Sequence, residues 1–374
     1  MPMNVLFIAY YFEPFTGVGA KRITYWAKNI KRLDPRINKC HVITTTIQVD
    51  KVMNGVDEIF VVPTSSNSFL GKVFKFDPGA AWLKSLELFF TEKAQYHKYD
   101  YVVLTGNPFF HFFILRKLKK MGIKSIIDFR DPLANNPRSI KADSLKRKVK
   151  SILLRLVEKY FIKTSSLTIT VNQYCAELLS GFERYRKKVY VIDNGFDERY
   201  FSELPEPKVS SGPLNLVYAG SLYADRSASS LINAILDNED FIFNHIGNIN
   251  PDLEEIDNVI SHGLKSYPET IKLMNDFQIT VIFTSGYNFE STTKIFDYIA
   301  LNKTILILTE GQLKTGALYD ITKSYPNVFW AKNNVESISN VLAEIKSTPF
   351  SQVAFEKMKY SREAGLKQLI NLMK

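Results

Sequence analysis

Residues 286–308 read GYNFESTTKIFDYIALNKTILIL, and this stretch decides how the chain is organised. An apolar run at 279–285 leads into it. Glu290, Ser291, Thr292, Thr293 and Lys294 follow in succession, where the apolar spacing starts a helix over 293–301. Asp297 stands one helical turn beyond Lys294, Asn302 ends the helix, and 304–308 forms a second apolar strand. Strand, polar loop, helix start and parallel strand make the unit with which open α/β sheets build anion sites at the carboxyl ends of strands. Backbone N–H groups at a helix start have no intrahelical acceptor and face that loop. A lysine and hydroxyls placed there suit a diphosphate, and a carboxylate one turn on suits a sugar hydroxyl. The same residues also fit an ordinary β-α-β unit with a Ser/Thr cap and a solvated Lys–Asp pair, so the stretch alone leaves both readings open.

Working outward, the plan repeats. In the C-terminal half, strands are expected at 214–219, 241–246, 259–263, 279–284, 304–308 and 328–331, with helices at 227–237, 267–276, 293–301, 335–347 and 351–373. In the N-terminal half, strands are expected at 4–10, 41–46, 58–63, 101–105, 125–129, 167–171 and 189–192. Helices fall between them at 20–31, 79–91, 111–121, 144–162 and 173–182. Short apolar strands alternating with helices predict parallel sheets covered on both faces. Asn194-Gly195, Pro205, Pro207 and the SSGP run at 210–213 mark a turn and linker. The reading is two Rossmann-like α/β/α domains, 1–195 and 196–350, followed by a terminal segment, 351–374.

The totals agree with this. A chain of 374 residues exceeds one ordinary domain. Cys40 and Cys175 supply neither a disulfide framework nor a metal cluster, which fits a reducing cytoplasm. No run of about 20 apolar residues is available to span a bilayer. The apolar run at 5–12 has no basic residues before it and reads as a first strand, not a signal peptide. Charge is uneven: residues 1–190 hold 32 Lys+Arg against 15 Asp+Glu, net +17, while 191–374 hold 16 against 23, net −7. A basic half can face nucleic acid, anionic lipid or an acidic acceptor.

Five further segments carry chemistry. After the first strand comes YYFEPFTGVGAKR, where Gly17 and Gly19 allow close backbone approach and Lys21 and Arg22 stand at a helix start, a position that favours an anion nearby. The spacing is not GxGxxG and no acid follows a second strand, so a nicotinamide site is not indicated. In Tyr218-Ala-Gly-Ser-Leu-Tyr-Ala-Asp-Arg226, Gly220 and Ser221 can offer N–H groups to a phosphate and Arg226 can close over it. Asp128, Arg130 and Asp131 cluster at the end of a strand, where Asp128 and Arg130 alternate to one face and Asp131 could take a proton. The alternative there is a structural ion pair. Asn107 and His111 open the segment after another strand, and a histidine among four phenylalanines is a base, an acceptor ligand or a packed side chain. Residues 138–163 form a basic amphipathic helix that rests on anionic lipid or is the polar back of a domain helix. No nucleic-acid module accompanies the charge. Metal, serine-hydrolase and nucleoside-triphosphatase motifs are lacking.

YYFEPFTGVGAKR, IIDFRDP, VIDNGFDERYF, LVYAGSLYADRS and STTKIFDYIALNKTILIL, in this order, resemble a GT-B-fold retaining glycosyltransferase of the family-4 type that builds bacterial surface polysaccharides. The resemblance covers nearly the whole chain. It implies two Rossmann-like domains facing a cleft, with the final helix, 351–373, crossing back to the first domain. It implies a nucleotide-diphosphate sugar as co-substrate and no metal. Gly220, Ser221, Arg226 and Lys294 match positions that hold the donor phosphates, and Ser291, Thr292 and Thr293 add N–H and hydroxyl donors. Asp297 matches the second acid of the family's Glu-x7-Glu motif, which holds the ribose. Glu290 stands one position later than the first acid, which touches the donor sugar. Gly17 and Gly19 match the loop that meets the donor, while Asp128, Arg130 and Asp131 match a motif on the acceptor side; Asn107, as an acceptor ligand, and His111, as a base or acceptor ligand, are candidates from their own place after a strand. The implied partners are a glycan or lipid-linked glycan acceptor and, through 138–163, an anionic surface at the cytoplasmic face of a membrane. A sugar-nucleotide epimerase and a non-catalytic assembly partner are the alternatives.

Overall fold

The computed structural model describes residues 2–46, 53–65, 68–92, 98–137, 145–206, 212–222, 227–248, 256–348 and 355–373, the side chains of 145–147 excepted. The chain divides into two compact units. Unit 1 is Met1–Asn194 with Arg362–Lys374, and unit 2 is Gly195–Ser361.

In unit 1 the strands are β1 (Met3–Ala9), β2 (Ile37–Thr44), β3 (Glu58–Val61), β4 (Tyr101–Thr105), β5 (Lys124–Phe129), β6 (Leu167–Thr170) and β7 (Val189–Val191). They form one parallel sheet in the order β3-β2-β1-β4-β5-β6-β7. Its helices are α1 (Val18–Leu33), α2 (Phe69–Val73), α3 (Gly79–Glu92), α4 (Leu115–Lys120), α5 (Leu145–Thr164), α6 (Gln173–Leu178) and α7 (Phe182–Tyr185). The near-continuous apolar runs have the cause expected of a parallel sheet, burial of both faces. Val5, Phe7 and Ala9 of β1 pack with Ile23, Trp26 and Ile30 of α1, whereas Leu6 and Ile8 pack with Trp82 and Leu86 of α3. Each such fully buried large side chain contributes roughly 1.5–3 kcal/mol.

In unit 2 the strands are β8 (Leu214–Ala219), β9 (Phe241–Ile246), β10 (Val259–Ser261), β11 (Ile279–Thr284), β12 (Thr304–Thr309) and β13 (Val328–Lys332). Their order is β10-β9-β8-β11-β12-β13, again all parallel. The helices are α8 (Ser229–Ile235), α9 (Tyr267–Met274), α10 (Lys294–Ala300), α11 (Gly316–Thr322) and α12 (Val335–Ser347).

Three expectations need correction. The helix expected over 351–373 is only α13 (Arg362–Leu372), in unit 1, where Leu366, Leu369 and Ile370 join the core beside α1 and Glu363 pairs with Arg32 at 2.7 Å. Lys357–Tyr360 is instead a 3-10 turn of unit 2, and residues 351–354 lie outside the described residues. The helix expected over 111–121 opens as a 3-10 turn, Phe110–Ile114, before α4. Neither α2 nor α11 was expected, since short helices give too few turns for a periodic signal. Among the described residues no helix is long and apolar enough to cross a membrane.

Both sheets reverse direction of strand addition beside their first strand, between β1 and β4 and between β8 and β11. Loops at the carboxyl ends of strands flanking such a switch point diverge and leave a crevice. The segments that carry chemistry in the sequence follow these strands.

Candidate functional site

The loop after β8 and the loop after β11 converge in unit 2. Gly220 ends β8 with φ +143°, a conformation that side-chain-bearing residues rarely adopt. A Cβ built there would stand 2.7 Å from Lys294 Cε and 2.8 Å from its Nζ, so the lysine stem lies directly against the glycine backbone. The Lys294 ammonium also lies 5.1 Å from the centroid of the Tyr218 ring. The Tyr218 hydroxyl donates to the Ser221 carbonyl at 3.1 Å, and the Gly220 N–H donates to the Ile246 carbonyl at 2.8 Å. A third contact fixes the same turn: His245 Nε2 lies 2.8 Å from the Gly220 carbonyl, which can only accept, so Nε2 carries the proton.

Lys294 is the first residue of α10, and Ser291, Thr292 and Thr293 are partly exposed just before it. Thr293 makes no side-chain cap bond, unlike the Ser/Thr cap of the ordinary β-α-β reading. The loop is held from outside as well, by the Ala317 N–H donating to the Asn288 carbonyl at 2.7 Å. One positioned cation, partly exposed hydroxyls and a tight glycine turn thus meet at one crevice. Such a set holds an anion through charge-assisted hydrogen bonds.

The two acids of the stretch play different parts. Glu290 is buried, and the Thr284 hydroxyl donates to its Oε2, so its carboxylate ties the loop to the end of β11. Asp297 is partly exposed, one turn into α10, and Oδ1 accepts from the Tyr267 hydroxyl at 2.6 Å. Arg226 lies outside the described residues. Sequence reasoning singled out the glycine, the lysine and the acids but not His245 or Tyr267. Their partners are 25 and 30 residues away in the chain, and no local pattern announces them.

Unit 1 presents a second cluster at the carboxyl ends of β1, β4 and β5. Arg22 of α1 is buried, with Nε 3.6 Å from Asp128 Oδ2. Its guanidinium also donates to the Ile192 carbonyl at 3.0 Å and stacks 4.3 Å from the Trp26 ring. Arg130 donates to the Val18 carbonyl at 2.9 Å and so holds the start of α1, where Gly17 is the N-cap and Gly19, expected in a loop, lies in the first helical turn. Burial lowers Arg22 to about 10 against the opposing pull of Asp128, and burial likewise raises the Asp128 carboxyl against Arg22 and Arg130. Desolvation outweighs attraction for both partners, as expected for an ion pair inside a protein.

Two catalytic expectations are corrected here. Asp128 is fully buried and serves as the counter-ion of Arg22, the structural alternative weighed from sequence. His111 is also fully buried, with its ring 5.2 Å from Trp82 and 4.8 Å from Phe112, and burial drops its pKa to about 3. Neither side chain is open to a substrate. Asp131 and Asn107 are exposed, Arg130 is partly exposed, and Gly17 and Gly19 are partly exposed. Among the described residues no three His, Cys, Asp or Glu side chains group as metal ligands.

No protein-family model matches the sequence, and no curated protein matches it. Solved structures match along the whole chain. HepE from Anabaena, in complex with UDP and glucose, superposes with a TM-score of 0.63 at 13% identity, covering 99% of each chain. The apo form of the lipopolysaccharide outer core galactosyltransferase WaaB gives 0.64 at 12% identity, covering 99% of this chain and 98% of that one. A putative UDP-N-acetylglucosamine 2-epimerase from Listeria monocytogenes gives 0.63 at 10% identity, covering 100% and 96%. At these identities the likeness establishes the fold: two parallel-sheet α/β units of seven and six strands, in the GT-B class that the sequence resembles.

Proposed function

We propose that this chain is a glycosyltransferase. It moves a sugar from a nucleotide-diphosphate donor to a glycan or lipid-linked glycan acceptor, with retention of configuration, in surface-polysaccharide assembly. The observation that carries the reading is Lys294 Nζ set against Gly220 and over Tyr218, at the switch point between β8 and β11. The donor diphosphate sits there, with Lys294 and Arg226 as its cations and Ser291, Thr292 and Thr293 as further donors. Asp297, oriented by Tyr267, accepts from the ribose. As the glycosidic bond breaks, negative charge grows on the leaving diphosphate, and a preorganised cation stabilises it more than the ground state. The leaving phosphate can itself take the acceptor proton, so no strong protein base is required. Arg130, Asp131 and Asn107 of unit 1 hold the acceptor. Cys40 and Cys175, buried and not joined in a disulfide, fit a cytoplasmic location.

The epimerase alternative requires a base at the sugar. Of the carboxylates and histidine that the sequence offers as bases, His111 and Asp128 are buried and Asp131 is exposed. The deciding experiment incubates the protein with UDP- and GDP-sugars, with and without a mixed glycan acceptor pool. Transfer predicts free nucleoside diphosphate only when acceptor is present. Diphosphate or an epimerised sugar released without acceptor would contradict it, and binding without turnover on any glycan would support the assembly-partner reading.

A further inference from the structure

The loops that carry Asn107 and Asp131 follow β4 and β5, neighbouring strands of unit 1. Each loop is fastened from behind by one buried carboxylate. Asp77 stands two residues before the first residue of α3 and is 4% exposed. Its Oδ1 accepts from the N–H groups of Gly79 at 2.9 Å and Phe110 at 3.3 Å, and its Oδ2 from the N–H of Phe109 at 2.8 Å. Phe109 and Phe110 come directly after Asn107-Pro108, so Asp77 ties that loop to the start of α3.

Glu158 of α5 repeats the arrangement on the other loop. On this helix Val149, Ile152, Leu153 and Leu156, spaced i, i+3, i+4 and i+7, form an exposed apolar stripe, while Glu158 is fully buried. Its Oε1 accepts from the N–H groups of Leu133 at 2.7 Å and Ala134 at 3.3 Å, and its Oε2 from the N–H of Ser180 at 2.7 Å. Leu133 comes two residues after Asp131, so Glu158 ties that loop to the turn after α6. A lighter tie lies outside it: Asn135 Nδ2 donates to the Leu178 carbonyl at 2.7 Å, and its Oδ1 accepts from Arg155 Nε at 2.9 Å. Burial pushes both the Asp77 and the Glu158 carboxyl groups up, against the backbone hydrogen bonds that pull them down, and no cation contributes to either. A buried carboxylate is costly unless its lone pairs are filled, and three N–H donors fill them with charge-assisted bonds. Packing alone does not call for an acid, since an apolar side chain of similar volume often serves as well. What each carboxylate adds is a loop backbone held through both oxygens at once.

We infer that Asp77 and Glu158 are positioning residues of the acceptor site. Each sets the backbone of one loop, and together they fix the spacing of Asn107 from Arg130 and Asp131, so that a polyhydroxyl acceptor meets both loops at once. Neither carboxylate touches the acceptor. This role rests on the reading of unit 1 as the acceptor-binding unit.

The test is nucleoside-diphosphate release by the full chain at varied concentrations of the mixed glycan acceptor pool and of the nucleotide sugar, for the wild type, Asp77→Asn and Glu158→Gln. An amide keeps the size of each side chain but has one accepting oxygen, so its NH2 group faces an N–H and one tie is lost. The half-saturating acceptor concentration is expected to rise by about tenfold or more in each variant. The half-saturating donor concentration and the affinity for the nucleoside diphosphate, both set in unit 2, are expected to stay at their wild-type values. A merely structural role lowers the folded fraction, and hence the maximal rate, but moves neither half-saturating concentration. That result would overturn the proposal, and so would a parallel rise in both concentrations. Where Glu158→Gln does not fold, Arg155→Ala reads the same loop, because Arg155 is exposed and its loss cuts only the outer tie through Asn135. A rise of about twofold to tenfold in the acceptor concentration is expected there, and no rise would overturn the role of Glu158. A wild type that releases no diphosphate with any acceptor would sink the transferase reading and the positioning role with it. A wild type that transfers, with variants that keep its acceptor concentration, would sink the positioning role alone.

Discussion

At the end of β1 in unit 1, Arg22 is 5% exposed and faces Asp128, which is fully buried. At the end of β8 in unit 2, the Lys294 stem lies against Gly220 and its ammonium over Tyr218, partly open to solvent. Both places are switch points of parallel sheets whose strands run in corresponding order. Topology therefore makes the crevice in each unit, and side-chain chemistry decides its use. Where the charges are buried and paired, the crevice is braced. Where a cation stands partly exposed beside a glycine turn, an anion can enter.

The sharpest way to break this comparison is to remove one charge from each crevice. Asp128→Ala leaves the buried Arg22 guanidinium without its carboxylate, which costs about 3–5 kcal/mol of stability. Lys294→Ala removes a partly exposed cation, for which the cost to stability is smaller, about 1 kcal/mol or less. Urea unfolding followed by tryptophan fluorescence measures both. Equal destabilisation by the two would erase the distinction drawn between the units.

His111 provides a pH test of the packed character of unit 1. Its folded pKa, about 3, lies below the ordinary 6.5, so between these values the unfolded chain binds more protons than the folded one. Stability is complete above about pH 6.5 and falls as the pH drops toward 3. At pH 5 the deficit attributable to this group is about 2 kcal/mol. His111→Phe keeps an aromatic ring and removes that part of the slope. Burial raises Asp77 and Asp128, which act in the opposite sense, but both proteins contain them and the difference isolates His111. An unchanged slope would mean that the imidazole titrates normally and reaches water.

Within unit 2 the effects are smaller. Gly220→Ala places a side chain at φ +143°, a strain of about 1–3 kcal/mol, and pushes against the end of Lys294. Stability and nucleotide affinity should fall together. His245→Phe removes one hydrogen bond to the Gly220 carbonyl and lowers nucleotide affinity by about 0.5–1.5 kcal/mol. Calorimetric titration separates these from Lys294→Ala, whose main effect is on binding.

The sequence makes the architecture readable because apolar runs and turn residues are local signals. All strands of both sheets lie where such runs predict them, within a residue or a few of their ends. The positions of Gly220, Lys294 and Asp297 are equally readable, since each is tied to a strand end or a helix start. What is not readable is the direction in which a polar side chain points when its partner is remote. Glu158 sits in a lysine-rich helix and looks solvated, yet it is buried on N–H groups 22 to 25 residues away. Asp128 looks like an exposed acid at a strand end, and its partner is 106 residues earlier, on α1. The α5 stripe misleads in the other direction: its period announces an apolar face but not which side the sheet lies on.

The loops after β8 and β11 are expected to receive a diphosphate. Isothermal titration with UDP, GDP, ADP, CDP and dTDP tests this on the intact chain. The expected result is saturable binding of at least one of them, weakened by about 1.5–3 kcal/mol in Lys294→Ala while the folded state persists. Failure of every nucleoside diphosphate to bind, or unaltered affinity in Lys294→Ala, would contradict it.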